Sequence, residues 1–92
     1  TGEAFIREVL GELIDYDEKE GADYLDILKA FFENECSIVH TAQAMYCHKN
    51  TMNYKMNKVK KILGYDIMSN ENRTRIMVAL YFLKISMSVS DK

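Results

Sequence analysis

The stretch TAQAMYCHKNTMNYKMNKVKKILG, residues 41–64, differs from the rest of the chain in its charge. It contains five lysines and three asparagines but no acidic residue. Residues 1–35, in contrast, hold eleven acidic and only three basic residues, and the whole chain has a net charge of −2. Positive charge is therefore concentrated in one segment, which favours an anionic partner for that segment.

The apolar residues of this stretch recur at the three- and four-residue spacing of one face of an α-helix. The pattern predicts a helix from about Lys49 to Leu63, with Gly64 as its C-terminal stop. The predicted apolar stripe consists of Met52, Met56, Val59, Ile62 and Leu63.

A shorter helix is predicted just upstream, at residues 38–45, with Ser37 as its N-cap. Residues 46–48 join the two helices in a tight connection. A short helix, a tight turn and a longer basic helix form the helix-turn-helix arrangement. Because Ala42 is small, it is expected to let the two helices cross closely. We therefore predict a helix-turn-helix motif at about residues 37–63.

The composition of the whole chain favours an all-α fold, because proline is absent and glycine occurs only four times. Three further helices complete a five-helix bundle, and 92 residues match a single domain, residues 1–92. The chain begins at Thr1 rather than Met, and we expect it to be the C-terminal fragment of a longer protein. No apolar run approaches the roughly 18 residues that span a bilayer, so no membrane partner is expected.

The three further helices follow from apolar patterns and caps. The first is predicted from the apolar stripe in residues 5–14, and the polar residues 15–21 are predicted to be a connector. Asp23 is the predicted N-cap of the second helix. Ser69 or Asn70 is the predicted cap of the fifth, whose last residues, SMSVSDK, are predicted to fray.

The outer face of the basic helix has the chemistry of a DNA-reading surface. An asparagine amide can both donate to and accept from adenine, and a lysine can donate to guanine or to phosphate. The residues expected to face base edges are Lys49, Asn50, Asn53, Tyr54 and Asn57.

A second set of residues is expected to contact the phosphate backbone. Lysines lie on the flanks of the basic helix, and the start of the shorter helix could donate backbone N–H groups. This set consists of Ser37, His48, Thr51, Lys55, Lys58, Lys60 and Lys61.

These assignments have structural alternatives. The lysines could form a solvated helix face. His48 and Thr51 could bond to backbone groups in the first turn of the helix, and Tyr54 could pack its ring against the shorter helix. The acidic first 35 residues are expected to face away from DNA or toward the rest of the parent protein, although they could serve solubility alone.

The cysteines and histidines could be drawn together as a zinc site made of Cys36, His40, Cys47 and His48, but structural zinc sites use tighter paired spacings. We expect Cys47 to pack inward with Met45 instead. Two cysteines are few for a disulfide scaffold, so a reducing, cytoplasmic location is the simpler interpretation. We predict no metal and no other cofactor.

Residues 41–67 resemble the C-terminal helix-turn-helix domain of the PucR/CdaR family of bacterial transcription regulators. The family pattern includes H-x-N-T-x-x-Y, a fairly specific signature, and the resemblance extends over about residues 5–83. Lys49 and Lys55 replace the usual arginines, which keeps the charge but loses the planar guanidinium group. The matching residues are Thr41, Ala42, His48, Asn50, Thr51, Tyr54 and Gly64.

The resemblance implies a Fis-like helical fold and sequence-specific binding of double-stranded DNA, with residues 49–63 in the major groove. It also implies an effector-sensing domain upstream in the same chain, and a homodimer is expected because such motifs commonly read two half-sites. The competing hypothesis is a helical interaction or dimerisation module that uses the apolar fifth helix or the acidic first two. An enzyme fits poorly, because no carboxylate lies near the histidines in sequence.

Overall fold

Five α-helices make up the part of the chain that the computed structural model describes, which is the backbone of residues 2–90 and the side chains of residues 2–86. These residues contain no β-strand. The prediction of an all-α, five-helix fold is confirmed. The helices are α1 (Gly2–Glu20), α2 (Tyr24–Glu33), α3 (Ile38–Ala44), α4 (Lys49–Leu63) and α5 (Asn70–Ser90).

The apolar side of α4 lies at the centre of the core, where α4 contacts α1, α2 and α3. α1 also packs along α5. Fully burying one side chain of this kind stabilises a fold by about 1.5–3 kcal/mol. The core thus holds α4 from three sides. The largest apolar side chains in it that are fully buried are Leu10, Leu13, Ile27, Leu28, Met52, Met56, Val59, Ile67 and Ile76.

The first helix is longer than its apolar pattern predicts. A connector was expected at residues 15–21, but α1 continues through Glu20. That prediction is wrong because the glutamates and the lysine of this polar segment favour a helix, and because Tyr16 stacks on Tyr24 of α2. Gly21 follows with a φ of 63°, a left-handed conformation that costs glycine little.

The start of α2 is capped by a residue other than the predicted one. Asp23 occupies the N-cap position but makes no capping hydrogen bond with its side chain. The carboxylate of Asp17 accepts instead, from the backbone N–H groups of Tyr24 at 3.0 Å and Leu25 at 2.8 Å. Because α1 continues past residue 17, its last turns reach the open N–H groups of α2 and satisfy them.

The last helix begins as predicted, since Ser69 Oγ accepts a hydrogen bond of 3.2 Å from the backbone N–H of Asn72. α5 continues through Ser90, into the segment that the sequence predicts to fray, and the fraying itself stays a prediction. The side chains of residues 87–90, and residues 91–92, lie outside the described part. None of the helices in that part has the length and the hydropathy needed to cross a bilayer.

Candidate nucleic-acid interface

The N-terminus of α3 is fixed by Ser37, as predicted. Its Oγ accepts a hydrogen bond of 3.2 Å from the backbone N–H of His40. The hydroxyl of Thr41, which is fully buried, donates to the carbonyl oxygen of Ser37 at 2.6 Å. Ser37 is thus partly buried and held in place, and its capping role is confirmed.

The turn between α3 and α4 is a Schellman motif with a tyrosine at its left-handed position. The N–H of Cys47 donates to the carbonyl of Ala42 at 2.9 Å, and the N–H of Tyr46 donates to the carbonyl of Gln43 at 3.2 Å. Between them Tyr46 adopts a φ of 55°. These two hydrogen bonds satisfy carbonyl groups at the end of α3 and reverse the chain within a few residues.

Ala42 lies where α3 packs on α4, and only 3% of its surface is exposed. This matches the prediction that a small residue occupies the helix contact. Met45 and Cys47 are partly buried and pack against the same core, as expected.

The N-terminus of α4 is capped by His48. Its Nδ1 accepts a hydrogen bond of 3.0 Å from the backbone N–H of Asn50. Of the two roles considered for this residue, capping is therefore confirmed, and the imidazole remains exposed to solvent. At the other end Gly64, with a φ of 76°, donates its N–H to the carbonyl of Lys60 at 2.9 Å and ends the helix as predicted.

The exposed face of α4 is a stripe that runs along the whole helix. Asn50, Tyr54, Asn57 and Lys61 follow one another at four-, three- and four-residue intervals, which places them on one face, and all four are exposed. This face lies opposite the buried Met52, Met56, Val59 and Leu63. Lys61, which the sequence assigned to a phosphate flank, therefore continues the stripe of residues assigned to base edges.

The remaining predicted residues of α4 lie on both sides of this stripe, whereas Ser37 begins α3 and His48 precedes α4. Tyr54 leaves 65% of its surface exposed, so its ring is not packed away against α3. The exposed members are Lys49, Asn53, Thr51, His48 and Lys60, and the partly buried ones are Ser37, Lys55 and Lys58.

Lys58 lies against α1, a contact that the sequence pattern missed. Its Nζ lies 5.8 Å from the centroid of the Tyr16 ring, within the range of a cation–π interaction. The Tyr16 ring in turn stacks on Tyr24, with centroids 5.5 Å apart. Burial raises the pKa of Tyr24, and the neighbouring Tyr16 and Tyr54 raise it further. Tyr16, Tyr24 and Lys58 thus lie together along one side of the α4 face.

The charges on α4 are free of internal ion pairs. The two salt bridges of the described side chains join Arg7 to Asp15 and Arg75 to Glu8, and neither includes a lysine of α4. The five lysines of this helix can therefore attract a polyanion without breaking a salt bridge of the fold.

The candidate zinc ligands do not form a site. Among the described residues, no three histidine, cysteine or acidic side chains lie close enough together to hold a metal ion. Cys36 and Cys47 are free thiols, each partly buried.

A second surface is apolar and lies on α5. Its side chains are exposed at three- and four-residue spacing, and part of it borders a groove of about 220 Å³ between α2 and α5. The sequence predicts an apolar helix here but leaves open whether one side of it is exposed. In the structure one side is exposed. The surface consists of Met77, Val78, Tyr81, Phe82 and Ile85.

Comparison with known proteins identifies the family to which the chain is similar. The family model of the PucR C-terminal helix-turn-helix domain matches residues 24–82. The chain is 32% identical to the purine catabolism regulatory protein of Bacillus subtilis (strain 168) over 63 residues, which is 68% of this chain and 12% of that protein. It is 30% identical to the carbohydrate diacid regulator of Escherichia coli (strain K12) over 53 residues, 58% of this chain and 14% of that protein.

A third relative is the uncharacterized protein YsfB of Bacillus subtilis (strain 168), with 30% identity over 83 residues, 90% of this chain and 21% of that protein. The chain therefore spans about a fifth or less of the length of these relatives. No solved structure gave a significant match. The family resemblance predicted from the sequence is confirmed.

Proposed function

Because the chain belongs to the PucR C-terminal helix-turn-helix family, we propose that it binds double-stranded DNA as the output domain of a bacterial transcription regulator. In this proposal α4 lies in the major groove and α3 lies across the backbone. The main support is the exposed face of α4, which combines amide and ammonium groups and contains no acidic residue. Two of the relatives are named as regulators, which supports regulation rather than catalysis.

Sequence would be read by the amide and lysine side chains along the stripe. Asn50, Asn53 and Asn57 can each pair with an adenine edge through two hydrogen bonds, and Lys49 can donate to guanine. Tyr54 adds an exposed ring and hydroxyl among them. Since the first turns of a recognition helix are the ones that reach base edges, Lys49, Asn50 and Asn53 contribute most to the choice of sequence.

The backbone of DNA would be held on both flanks. Lys55, Lys60 and Lys61 supply charge, and Thr51 supplies a hydroxyl donor. His48 can use the nitrogen that does not cap α4, and the N-terminus behind Ser37 offers backbone N–H groups of α3. Lys58 would also contact the phosphate backbone, from a position in which its ammonium group lies over the ring of Tyr16.

Salt dependence of binding tests the proposal. A labelled duplex pool of random sequence is titrated with the whole chain at several salt concentrations between about 50 and 200 mM. We expect the dissociation constant to rise steeply, because each phosphate contact adds about 0.9 to the logarithmic slope. Absence of binding at low salt, or binding insensitive to salt, would refute the proposal.

Base reading is tested by the double variant Asn50→Ala/Asn53→Ala, with Asn70→Ala as the matched control on α5. Both Asn50 and Asn53 are exposed, so thermal stability should not change by more than a few degrees. Binding to a sequence selected from the pool should weaken at least tenfold, since each lost pair of base contacts costs about 1–3 kcal/mol. The Asn70 variant should bind as the wild type does.

A second candidate function, self-association, is supported by the apolar surface of α5. We propose that a second copy of the chain packs on this surface, so that two α4 helices meet two half-sites about 34 Å apart. Tyr81→Glu should then lower the apparent mass in sedimentation and weaken binding to a two-half-site duplex. Binding to a single half-site should not change. A wild-type chain that stays monomeric at high concentration and on DNA would exclude this candidate.

The proposed function also bears on the domain organisation of the complete protein. The relatives are several times longer than the chain, and we propose that an effector-sensing domain precedes these residues in the complete protein. A cytoplasmic location follows from the proposed partner, chromosomal DNA. In this proposal the chain supplies the DNA-reading part of the complete protein.

A further inference from the structure

Tyr46 is the most exposed large apolar side chain in the described part of the chain, with 96% of its surface accessible. Among the described residues, almost nothing covers its ring, and its hydroxyl makes no hydrogen bond. Only its backbone takes part, through the N–H that donates to Gln43. The fold thus uses the backbone of this residue and leaves its side chain in solvent.

The backbone conformation makes a tyrosine a costly choice at this position. With a φ of 55°, Tyr46 is left-handed, a conformation in which Cβ crowds the following carbonyl oxygen. Helices commonly end with glycine there for this reason. Gly21 and Gly64 take the left-handed position at the ends of α1 and α4. Folding stability alone would favour glycine at residue 46 as well.

The position of Tyr46 gives its side chain a use outside the fold. It precedes by two residues His48, whose imidazole caps the N-terminus of α4. In a helix-turn-helix that reads DNA, this end of the second helix enters the groove, so the turn lies at the groove edge, where the sugar–phosphate backbone runs. No acidic residue lies between residues 36 and 65 to repel that backbone.

We propose that Tyr46 is a DNA contact, with its ring against the sugar–phosphate backbone at the edge of the groove and its hydroxyl donating to a phosphate oxygen. The inference rests on the proposed function, since it requires α4 to enter DNA. Tyrosine is a suitable residue for this role, because its ring is rigid and its hydroxyl is a neutral donor to phosphate. The strained turn residue is then retained for binding at the expense of stability.

The proposal predicts opposite effects on stability and on binding. Tyr46→Gly should raise the melting temperature by several degrees, because the left-handed strain is removed. The same variant should weaken binding to a duplex about tenfold or more. Tyr46→Phe keeps the ring and the strain, so it should leave the melting temperature unchanged and weaken binding about threefold to tenfold through loss of the hydroxyl donor.

A matched control is present in the same chain. Glu35 has a φ of 57° and occupies the first left-handed position after α2, where the N–H of Cys36 donates to the carbonyl of Phe31; unlike the turn at Tyr46, this turn has a second left-handed residue, Cys36, with a φ of 58°. Glu35→Gly should therefore raise the melting temperature in the same way. It should not weaken DNA binding, because removal of an acid cannot reduce attraction to phosphate.

Two measurements test the proposed role of Tyr46. They are fluorescence anisotropy with a labelled duplex pool at one low salt concentration, and thermal melts. The expected pattern is stabilisation in both glycine variants and weaker binding only in those changed at Tyr46. If Tyr46→Gly binds as tightly as the wild type while the wild type binds with steep salt dependence, the inference about Tyr46 is wrong and the proposed function stands. If the wild-type chain does not bind the duplex pool, both fail.

Discussion

The ammonium group of Lys58 lies over the ring of Tyr16, 5.8 Å from the ring centroid. This contact joins the last turns of α1 to the helix that carries the basic face. The same ring stacks on Tyr24 at an interplanar angle of 12°, so its orientation is fixed from the α2 side. Lys58 consequently has a defined direction, whereas the other lysines of α4 make no salt bridge or cation–π contact with the described side chains.

The interaction energy of this pair can be measured with a double-mutant cycle. Tyr16→Leu and Lys58→Met, singly and together, should give a coupling of about 0.5–1 kcal/mol in the free energy of unfolding, the usual range for a cation–π pair near the surface. Tyr16→Phe should keep the coupling, because the ring is retained. Lys60→Met provides the control, since Lys60 is exposed and should show no coupling to Tyr16.

The position of Tyr16 also shows where sequence patterns are insufficient. Apolar periodicity predicts the start of α1 and its buried residues, but it fails after Tyr16, because only charged residues follow up to Gly21. The helix continues there because its residues have high helix propensity and because it contacts α2. The spacing of apolar residues does not reveal such tertiary contacts. A pattern that predicts a connector at residues 15–21 gives no basis for predicting the contact between Tyr16 and Lys58, which lie 42 positions apart.

Asp17 should stabilise the fold more than Asp23 does, although Asp23 occupies the N-cap position of α2. The Asp17 carboxylate accepts two backbone hydrogen bonds, from Tyr24 and Leu25, whereas Asp23 makes no capping bond with its side chain. Asp17→Ala should therefore cost about 1–2 kcal/mol, and Asp23→Ala about 0.5 kcal/mol or less. Urea denaturation of the two variants at neutral pH provides the comparison, and equal losses would contradict the capping role of Asp17.

Tyr65 ties the segment after α4 to α1. Its hydroxyl donates to the carbonyl oxygen of Val9 at 2.8 Å, and burial raises the pKa of Tyr65, against a smaller lowering by Arg75. Because the folded pKa lies above the unfolded value of about 10, the stabilisation is complete below about pH 10. It is lost as the pH rises through the folded pKa.

Tyr65→Phe should thus lower the free energy of unfolding by about 1 kcal/mol at neutral pH. The difference between wild type and variant should shrink above about pH 10. Urea denaturation at both pH values measures this difference. Tyr24, whose pKa burial also raises, is present in both proteins, so its titration does not affect the comparison. A difference that stays constant with pH would show that the hydroxyl is not the stabilising group.

The caps around the helix-turn-helix were more predictable than the surface between them. Ser37, His48 and Gly64 could be identified because capping uses few residue types at fixed positions. Tyr46 could not, since its position looks like an ordinary connecting residue until the left-handed φ and the full exposure are known. A Schellman turn closed by tyrosine rather than glycine leaves no sequence signal, because the favoured residue is absent.

His48 combines a confirmed structural role with a proposed DNA contact, and substitution can separate the two. His48→Ala should cost about 1 kcal/mol in the free energy of unfolding, since the N–H of Asn50 loses its acceptor. His48→Asn supplies another N-cap acceptor and should restore most of that stability. If the imidazole also reaches a phosphate, the asparagine variant should bind a duplex pool about threefold or more weakly at unchanged melting temperature. Binding equal to the wild type would assign His48 to capping alone.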